Sequence, residues 1–314
     1  MEIEKDEINF VAFGKYAKAV QFQKTGGDGK IDIIYAQGDI VDGKGDKDQV
    51  GSDNFVRLIR KARLDDDVKA IVFRVNSPGG SSMASEAIWR EISLAKKAKP
   101  VVVSMGDYAA SGGYYISCAA DSVFADETTI TGSIGVFSIL PDMKQFFNDK
   151  LGITFDGVKT GPYADMGSIA RPLTEQEKHF IQASVDTIYN TFKKRVADGR
   201  RKDTAYIDSI AQGRVWTGKR AITVGLVDRT GTLQDALDCA ARMANLTNYR
   251  TREYPEAKTW LEELTGQSYA AESKENATIK EIGQQQYDLL QSVKQLREIV
   301  GIPQTRLPFT VQFR

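Results

Sequence analysis

The sequence predicts an α/β protein with a mainly parallel sheet covered on both faces, and two observations carry that prediction. Apolar strand-like runs alternate with helical segments of about 10 to 15 residues, the spacing of βαβ crossovers. A chain of 314 residues with 41% hydrophobic content also has enough apolar material for a substantial core. Lys and Arg total 42 and Asp and Glu total 42. No global field therefore favours nucleic acid or anionic lipid, and partners are selected by local shape and chemistry.

In chain order, residues 1–24 begin acidic and read like the tail of a preceding segment, until Gly26, Gly27 and Gly29 break the pattern. IDIIYAQGDI, from Ile31, is a buried strand, and VDGKGDKDQVGSDN is a long Gly and Asp loop. FVRLIRKARLDDDV has apolar residues at helical spacing, and KAIVFRVNSPGG is a strand ending in a Gly-rich turn. MASEAIWREISLAKKA is a helix, PVVVSMG a strand, ASGGYYISCAA a turn and helix, and SVFADETTITGSIGV further short strands. A long amphipathic helix starts after Thr174, with Glu177 three residues on in a capping-box pattern. RVWTGKRAITVGLVD is a turn, a short helix and a final strand. Past Thr251 the composition becomes polar and Gln-rich, with one helix over LLQSVKQLREIVG and a terminal strand over LPFTVQFR.

Cys118 and Cys239 match no zinc spacing and suggest no disulfide framework, so each is expected to be a buried free thiol. No apolar run approaches the roughly 20 residues needed to span a bilayer, and the first ten residues lack the features of a signal peptide.

Two glycine-rich turns could carry chemistry. Asn76-Ser77-Pro78-Gly79-Gly80 ends one strand just before a helix, where adjacent glycines let backbone N–H groups converge on an oxyanion. The same residues also make an ordinary turn. Ala109-Ala110-Ser111-Gly112-Gly113 follows the next long strand. Its serine is flanked by small residues at the N-terminal end of a helix, a position suited to a nucleophile or simply to close packing on the sheet. Together the two turns are far more specific than either alone. An activated serine needs a base, and the single histidine, His179, lies on the amphipathic helix beside Lys178, where a surface role is the ordinary one. A neutral lysine amine is the remaining option.

The strings VNSPGGS, VSMGDYAASGGYYISCAAD, TGSIGVF and GRVWTGKRAITVGLVD, four ordered blocks between about Gly29 and Asp235, resemble the signal peptide peptidase A (protease IV) family. That family comprises membrane-anchored bacterial serine proteases. The resemblance implies a Clp-protease/crotonase-like fold with repeated ββα units and a C-terminal extension. It implies Ser111 as nucleophile, Gly79 or Gly80 with Gly112 as the oxyanion hole, and Ser133 as the residue positioning the lysine. No cofactor or metal is implied.

The chain departs from the family pattern at the base. The short form carries its general-base lysine in a string such as KSGxxKD, and the matching stretch here is Lys159-Thr160-Gly161-Pro162-Tyr163-Ala164-Asp165, with Ala164 in the lysine position. In the double-length form an N-terminal half supplies the lysine and a C-terminal half the serine. Ser111 lies about two hundred residues from the C-terminus, as in that C-terminal half. The expected organisation is a seam with a preceding half over 1–28, a catalytic core over 29–250, and an extension over 251–314 for packing or oligomer contacts. Five residues of extended chain shift a side chain by about 17 Å, which disfavours Lys159 as substitute base. Lys15, Lys18 and Lys144 are weaker candidates still.

The resemblance further implies cleaved signal peptides as substrates, bound as extended strands, and a homo-oligomeric ring such as a tetramer. It implies association with the cytoplasmic membrane through a preceding segment, with the active site on the periplasmic or extracytoplasmic side. Two alternatives stand beside this reading. One is a catalytically incomplete half that binds peptide or serves assembly. The other is a crotonase-type acyl-coenzyme A enzyme, disfavoured because a serine between Ala110 and Gly112 has no role there.

Overall fold

The computed structural model describes residues 29–255, 283, 286, 287, 293 and 299–307. The segment read as a seam, with Lys15 and Lys18, lies outside the described residues, as do most of LLQSVKQLREIVG and residues 308–314.

The expected alternation forms a central sheet. Strands β1 (Lys30–Gln37), β4 (Val68–Ser77), β6 (Val101–Ala110), β7 (Ser122–Ala125), β10 (Arg229–Thr230) and β11 (Arg250–Tyr254) run in the order β10-β7-β6-β4-β1-β11. Every neighbouring pair along this path is parallel. The central strands are apolar without alternation because both faces are covered. Ile34, Phe73, Val75 and Val103 join one core cluster, with Phe55 and Ile59 of helix α1 (Ser52–Leu64) and Ile88 and Ile92 of helix α2 (Ser82–Ala98). Ile31, Ile33, Val72 and Val102 point the other way, onto Leu237 and Ala240 in the helix over Leu233–Met243.

A second, smaller sheet was not predicted. β2 (Asp39–Val41), β3 (Gln49–Gly51), β5 (Gly79–Ser81) and β12 (Gln304–Arg306) associate in the order β12-β5-β2-β3. β3 falls inside the Gly and Asp stretch read as loop, and β5 is the Gly-rich turn itself. Three-residue strands with glycine in them have no periodic signature, and only the backbones beside them make them strands. Two of the long strands thus hand over to short strands and then a helix, β1 to β2 and β3 before α1 and β4 to β5 before α2, whereas β6 passes directly into a helix.

The long helix over Glu175–Arg200 begins with the predicted capping box between Thr174 and Glu177. Both cysteines are free and buried. Burial pushes the Cys118 thiol up to about 12, so it is inert as a nucleophile at neutral pH.

At the β11 edge, register sets Arg252 directly opposite Asp32 of β1. Its guanidinium donates from Nε at 3.0 Å and Nη2 at 2.8 Å to the Asp32 carboxylate, which is fully buried. Arg252→Met is expected to strand that carboxylate without its partner and cost about 3 kcal/mol, as removal of one member of a buried pair does. The midpoint of urea unfolding reads this directly, and an unchanged midpoint would mean that solvent reaches Asp32.

Candidate active site

The two glycine-rich turns meet because β4 and β6 are adjacent and parallel, so both chains leave the sheet at the same carboxyl edge. That edge is where open α/β sheets place their ligands. β6 ends at Ala110, and helix α3 (Gly112–Ser117) starts two residues later, with Ser111 as its N-cap at φ 53° and ψ −114°. This is positive-φ backbone that a residue with a Cβ rarely adopts, and such strain collects at functional sites. The conformation is pinned at both ends. The Ser111 N–H donates to Gly132 O at 2.8 Å, and its carbonyl accepts from Tyr115 N at 2.8 Å.

A serine at an N-cap ordinarily accepts a hydrogen bond from the first turn of its helix, but here the side chain caps nothing. Its Oγ is buried and without a hydrogen-bond partner among the described residues. An unpaired buried hydroxyl costs about 1 to 3 kcal/mol, so the fold holds Ser111 in a state that serves neither local backbone nor packing.

Facing it, Gly79 has φ 100°, and a Cβ built on it would stand 2.7 Å from Gly112 N and 2.0 Å from Thr305 O. A Cβ on Gly80 would lie 1.9 Å from Ile40 O of β2. Glycine is required at both by close backbone approach. The Gly79 N–H donates to Ser77 Oγ at 3.2 Å. Ser133 sits just after β8 (Ile130–Gly132), buried and at φ 49°, one residue past the carbonyl that holds Ser111 N. The structure thus brings Ser111, Gly112, Gly79, Gly80 and Ser133 into one neighbourhood, although the Ser133 hydroxyl makes no hydrogen bond to Ser111 Oγ.

The lysine candidates among the described residues, Lys159 and Lys144, do not join this cradle. Lys159 is exposed and paired with Asp165 at 2.8 Å, and Ala164 and Lys144 are exposed. His179 is exposed in the second turn of its helix. The stretch around Ala164 is tied down by Arg171, which reaches Asp165 from Nε and Nη2 at 2.7 and 2.6 Å and Glu177 from Nη1 and Nη2 at 2.8 and 2.6 Å.

Arg171, assisted by Lys159, holds the Asp165 carboxyl well below the usual range, and Arg171, assisted by the Thr174 backbone, lowers Glu177 from 4.5 to about 2. A carboxyl depressed in the folded state adds stability above its unfolded value and loses it as pH falls through the folded one. Thermal stability is therefore expected to fall from about pH 4.5 down to about 2. Arg171→Gln should flatten that slope, and an equally steep slope in the variant would assign acid sensitivity to other carboxylates.

Reasoning from sequence missed Ser85 and Thr305 and gave no role to Ser77 within the turn it singled out. Ser85 Oγ lies 2.7 Å from where a Cβ on Gly112 would stand, and Thr305 O lies 2.9 Å from the same point. Ser85 had a weak signal, standing one helical turn past the glycine strand. Thr305 had none.

A family model described as Clp protease matches residues 32–130, the stretch from β1 to β8 that builds the cradle. Fold and site therefore define an α/β protein of the Clp-protease-like class with a serine at its strand-to-helix elbow. A second model, Peptidase family S49, matches residues 93–247. A relative from Methanocaldococcus jannaschii is 38% identical over 227 residues, 72% of this chain and 71% of that one. The chain belongs to peptidase family S49.

Longer relatives are similar over most of this chain. Protease 4 of Salmonella typhi is 43% identical over 259 residues, 82% of this chain and 41% of its own length. Serine protease SPPA, chloroplastic, of Arabidopsis thaliana is 37% identical over 252 residues, 78% of this chain and 37% of its own. The chain thus spans about two fifths of the length of these relatives. No helix among the described residues is long and apolar enough to cross a membrane.

Proposed function

We propose that this chain is the serine-bearing half of a Ser/Lys endopeptidase that degrades cleaved signal peptides. The observation that carries the reading is the Ser111 hydroxyl, buried, unpartnered and held at positive φ beside the glycine amides. A neutral lysine amine takes the Oγ proton as Oγ bonds to the scissile carbonyl carbon. The amides of Gly112 and Gly80 stabilise the oxyanion, Gly79 being engaged by Ser77 Oγ. The proton passes to the departing amine, and water then hydrolyses the acyl-serine. Ser133 positions the lysine.

Because Ala164 stands where the family's base would be, the lysine in this reading comes from a homologous partner half. The substrate is an extended peptide held in a homo-oligomeric ring such as a tetramer. The assembly associates with the cytoplasmic membrane through a segment beyond this one, with its site on the extracytoplasmic face. The names of the Salmonella and Arabidopsis relatives, both proteases, support the reaction class.

A second reading, a peptide-binding half that does not cut, is favoured by one observation: no lysine among the described residues hydrogen bonds to Ser111. A serine-reactive fluorophosphonate and an apolar fluorogenic peptide separate the two. The chain alone should be silent, and addition of a lysine-bearing partner half should bring labelling that Ser111→Ala abolishes. Activity of the isolated chain would put the base within it, and silence in both cases would favour binding without cleavage.

A further inference from the structure

We propose that Gln304–Arg306 is an internal occupant of the peptide cradle, a strap lying where an extended substrate strand lies and released when a peptide takes its place. The inference takes the cradle to be the peptide site argued above. β12 adds antiparallel to β5 with Gln304 opposite Ser81, Thr305 opposite Gly80 and Arg306 opposite Gly79. Leu307 N continues the ladder by donating to Pro78 O at 3.0 Å. Strand addition to an available edge is how extended peptides are bound, with main-chain hydrogen bonds supplying affinity and side-chain pockets supplying selectivity.

The strap does more than border the glycines. The Thr305 carbonyl oxygen lies 2.0 Å from the point where a Cβ on Gly79 would stand and 2.9 Å from the corresponding point on Gly112. A main-chain carbonyl is thereby directed between the two glycine-rich turns, as a substrate carbonyl has to be. The Thr305 side chain is fully buried, with Oγ1 donating to Gly80 O at 3.3 Å and lying 3.5 Å from Ser85 Oγ. Ser111 beside this arrangement is fully buried too, so a second peptide cannot reach its hydroxyl while the strap is seated.

The attachments are main-chain hydrogen bonds and one ion pair, the kinds of contact that an incoming extended peptide remakes. Gln304 exchanges two backbone hydrogen bonds with Phe137, at 2.8 and 3.1 Å. Arg306 pairs with Asp39 at 2.7 Å, with both side chains about a quarter exposed. The ladder on β5 runs from Pro303 O, which accepts from Ser82 N at 3.2 Å, to Leu307 N, and Gln304, Thr305 and Leu307 are buried, so release has to be driven by a peptide that remakes these bonds.

Access to position 111 tests the strap without requiring bond cleavage. In the full chain carrying Ser111→Cys, the rate of alkylation of the introduced thiol by iodoacetamide is followed by mass spectrometry, which separates it from Cys118 and Cys239. Adding Thr305→Pro, which removes a strand N–H, and Arg306→Glu, which sets a carboxylate against Asp39, should speed alkylation at least tenfold. The free hexapeptide Ile-Pro-Gln-Thr-Arg-Leu should then restore protection. Equal rates with and without the strap substitutions in folded protein, or no protection by the peptide, would overturn the proposal.

A second measurement covers failure of the substituted chain to fold. In the full chain with Ser111→Ala, excess hexapeptide should accelerate hydrogen exchange at residues 304–307, and unchanged exchange also overturns the proposal. Both readouts report occupancy alone, so failure of the chain to hydrolyse peptides with any partner half would remove the protease reading and leave the strap standing.

Discussion

Ser111→Gly is expected to give a protein that melts at a higher temperature and transfers no acyl group. At φ 53° and ψ −114° a residue with a Cβ carries strain of order 1 to 3 kcal/mol, and glycine relieves it. The substitution also removes a buried hydroxyl that has no partner among the described residues. Glycine's extra freedom in the unfolded chain offsets about 1 kcal/mol, leaving a net gain of about 1 to 5 kcal/mol. For a core of this size that is roughly 2 to 4 °C in melting temperature per kcal/mol. Ser111→Ala removes the hydroxyl but keeps the strain, so its stability should fall between glycine and serine. In the proposed mechanism both variants lose the nucleophile, and turnover measured with a lysine-bearing partner half present should fall about 10⁴-fold or more. Melting temperatures in the order Gly, Ala, Ser, with both variants inactive, would show stability held back for function at this elbow. The reverse order would mean that the Ser111 backbone is not strained.

Gly79→Ala should be among the most damaging single methyl groups in the cradle. Its Cβ would stand 2.0 Å from Thr305 O and 2.7 Å from Gly112 N, and the backbone at φ 100° disfavours any side chain. The methyl would lie between the two turns, where the oxyanion forms in the proposed mechanism. Loss of an oxyanion-hole donor costs about 10²- to 10³-fold in turnover, and blocking the space should cost at least that much. Overpacking against backbone adds about 1 to 3 kcal/mol of destabilisation. Gly161→Ala is the matched control, because no heavy atom lies within 4 Å of its Cβ position and its backbone is not at positive φ. It should be neutral within about 0.5 kcal/mol. If Gly79→Ala retained wild-type turnover with the partner half present, the oxyanion assignment would be wrong.

Much of the architecture was legible because it is written at short range. The period and spacing of apolar runs gave β1, β4, β6 and the helices α1 and α2, though not β11 or the helix over Leu233–Met243, and Thr174 with Glu177 marked the start of the long helix three residues apart. The elbow at Ser111 was legible for the same reason: small residues between a strand and a helix are a local pattern. The blocks around Ser111 and Gly79 also carried the family, which the matching models and relatives bear out. The short strands beside the site were not legible. Gly79–Ser81 reads as turn chemistry, and it becomes a strand only because β2 lies on one side and β12 on the other.

From the sequence alone came the α/β class, the order of the long elements, the pair of glycine-rich turns and the alanine where a lysine is expected. The tertiary structure alone decided that Ser111 is strained and unpartnered, that Ser77 engages the Gly79 amide, and that Thr305 comes to Gly80 across 225 residues of chain. The division follows from the forces involved. Periodicity and capping act within a few turns of the chain, whereas a three-residue strand gains its hydrogen bonds only from whatever backbone the folded sheet brings beside it.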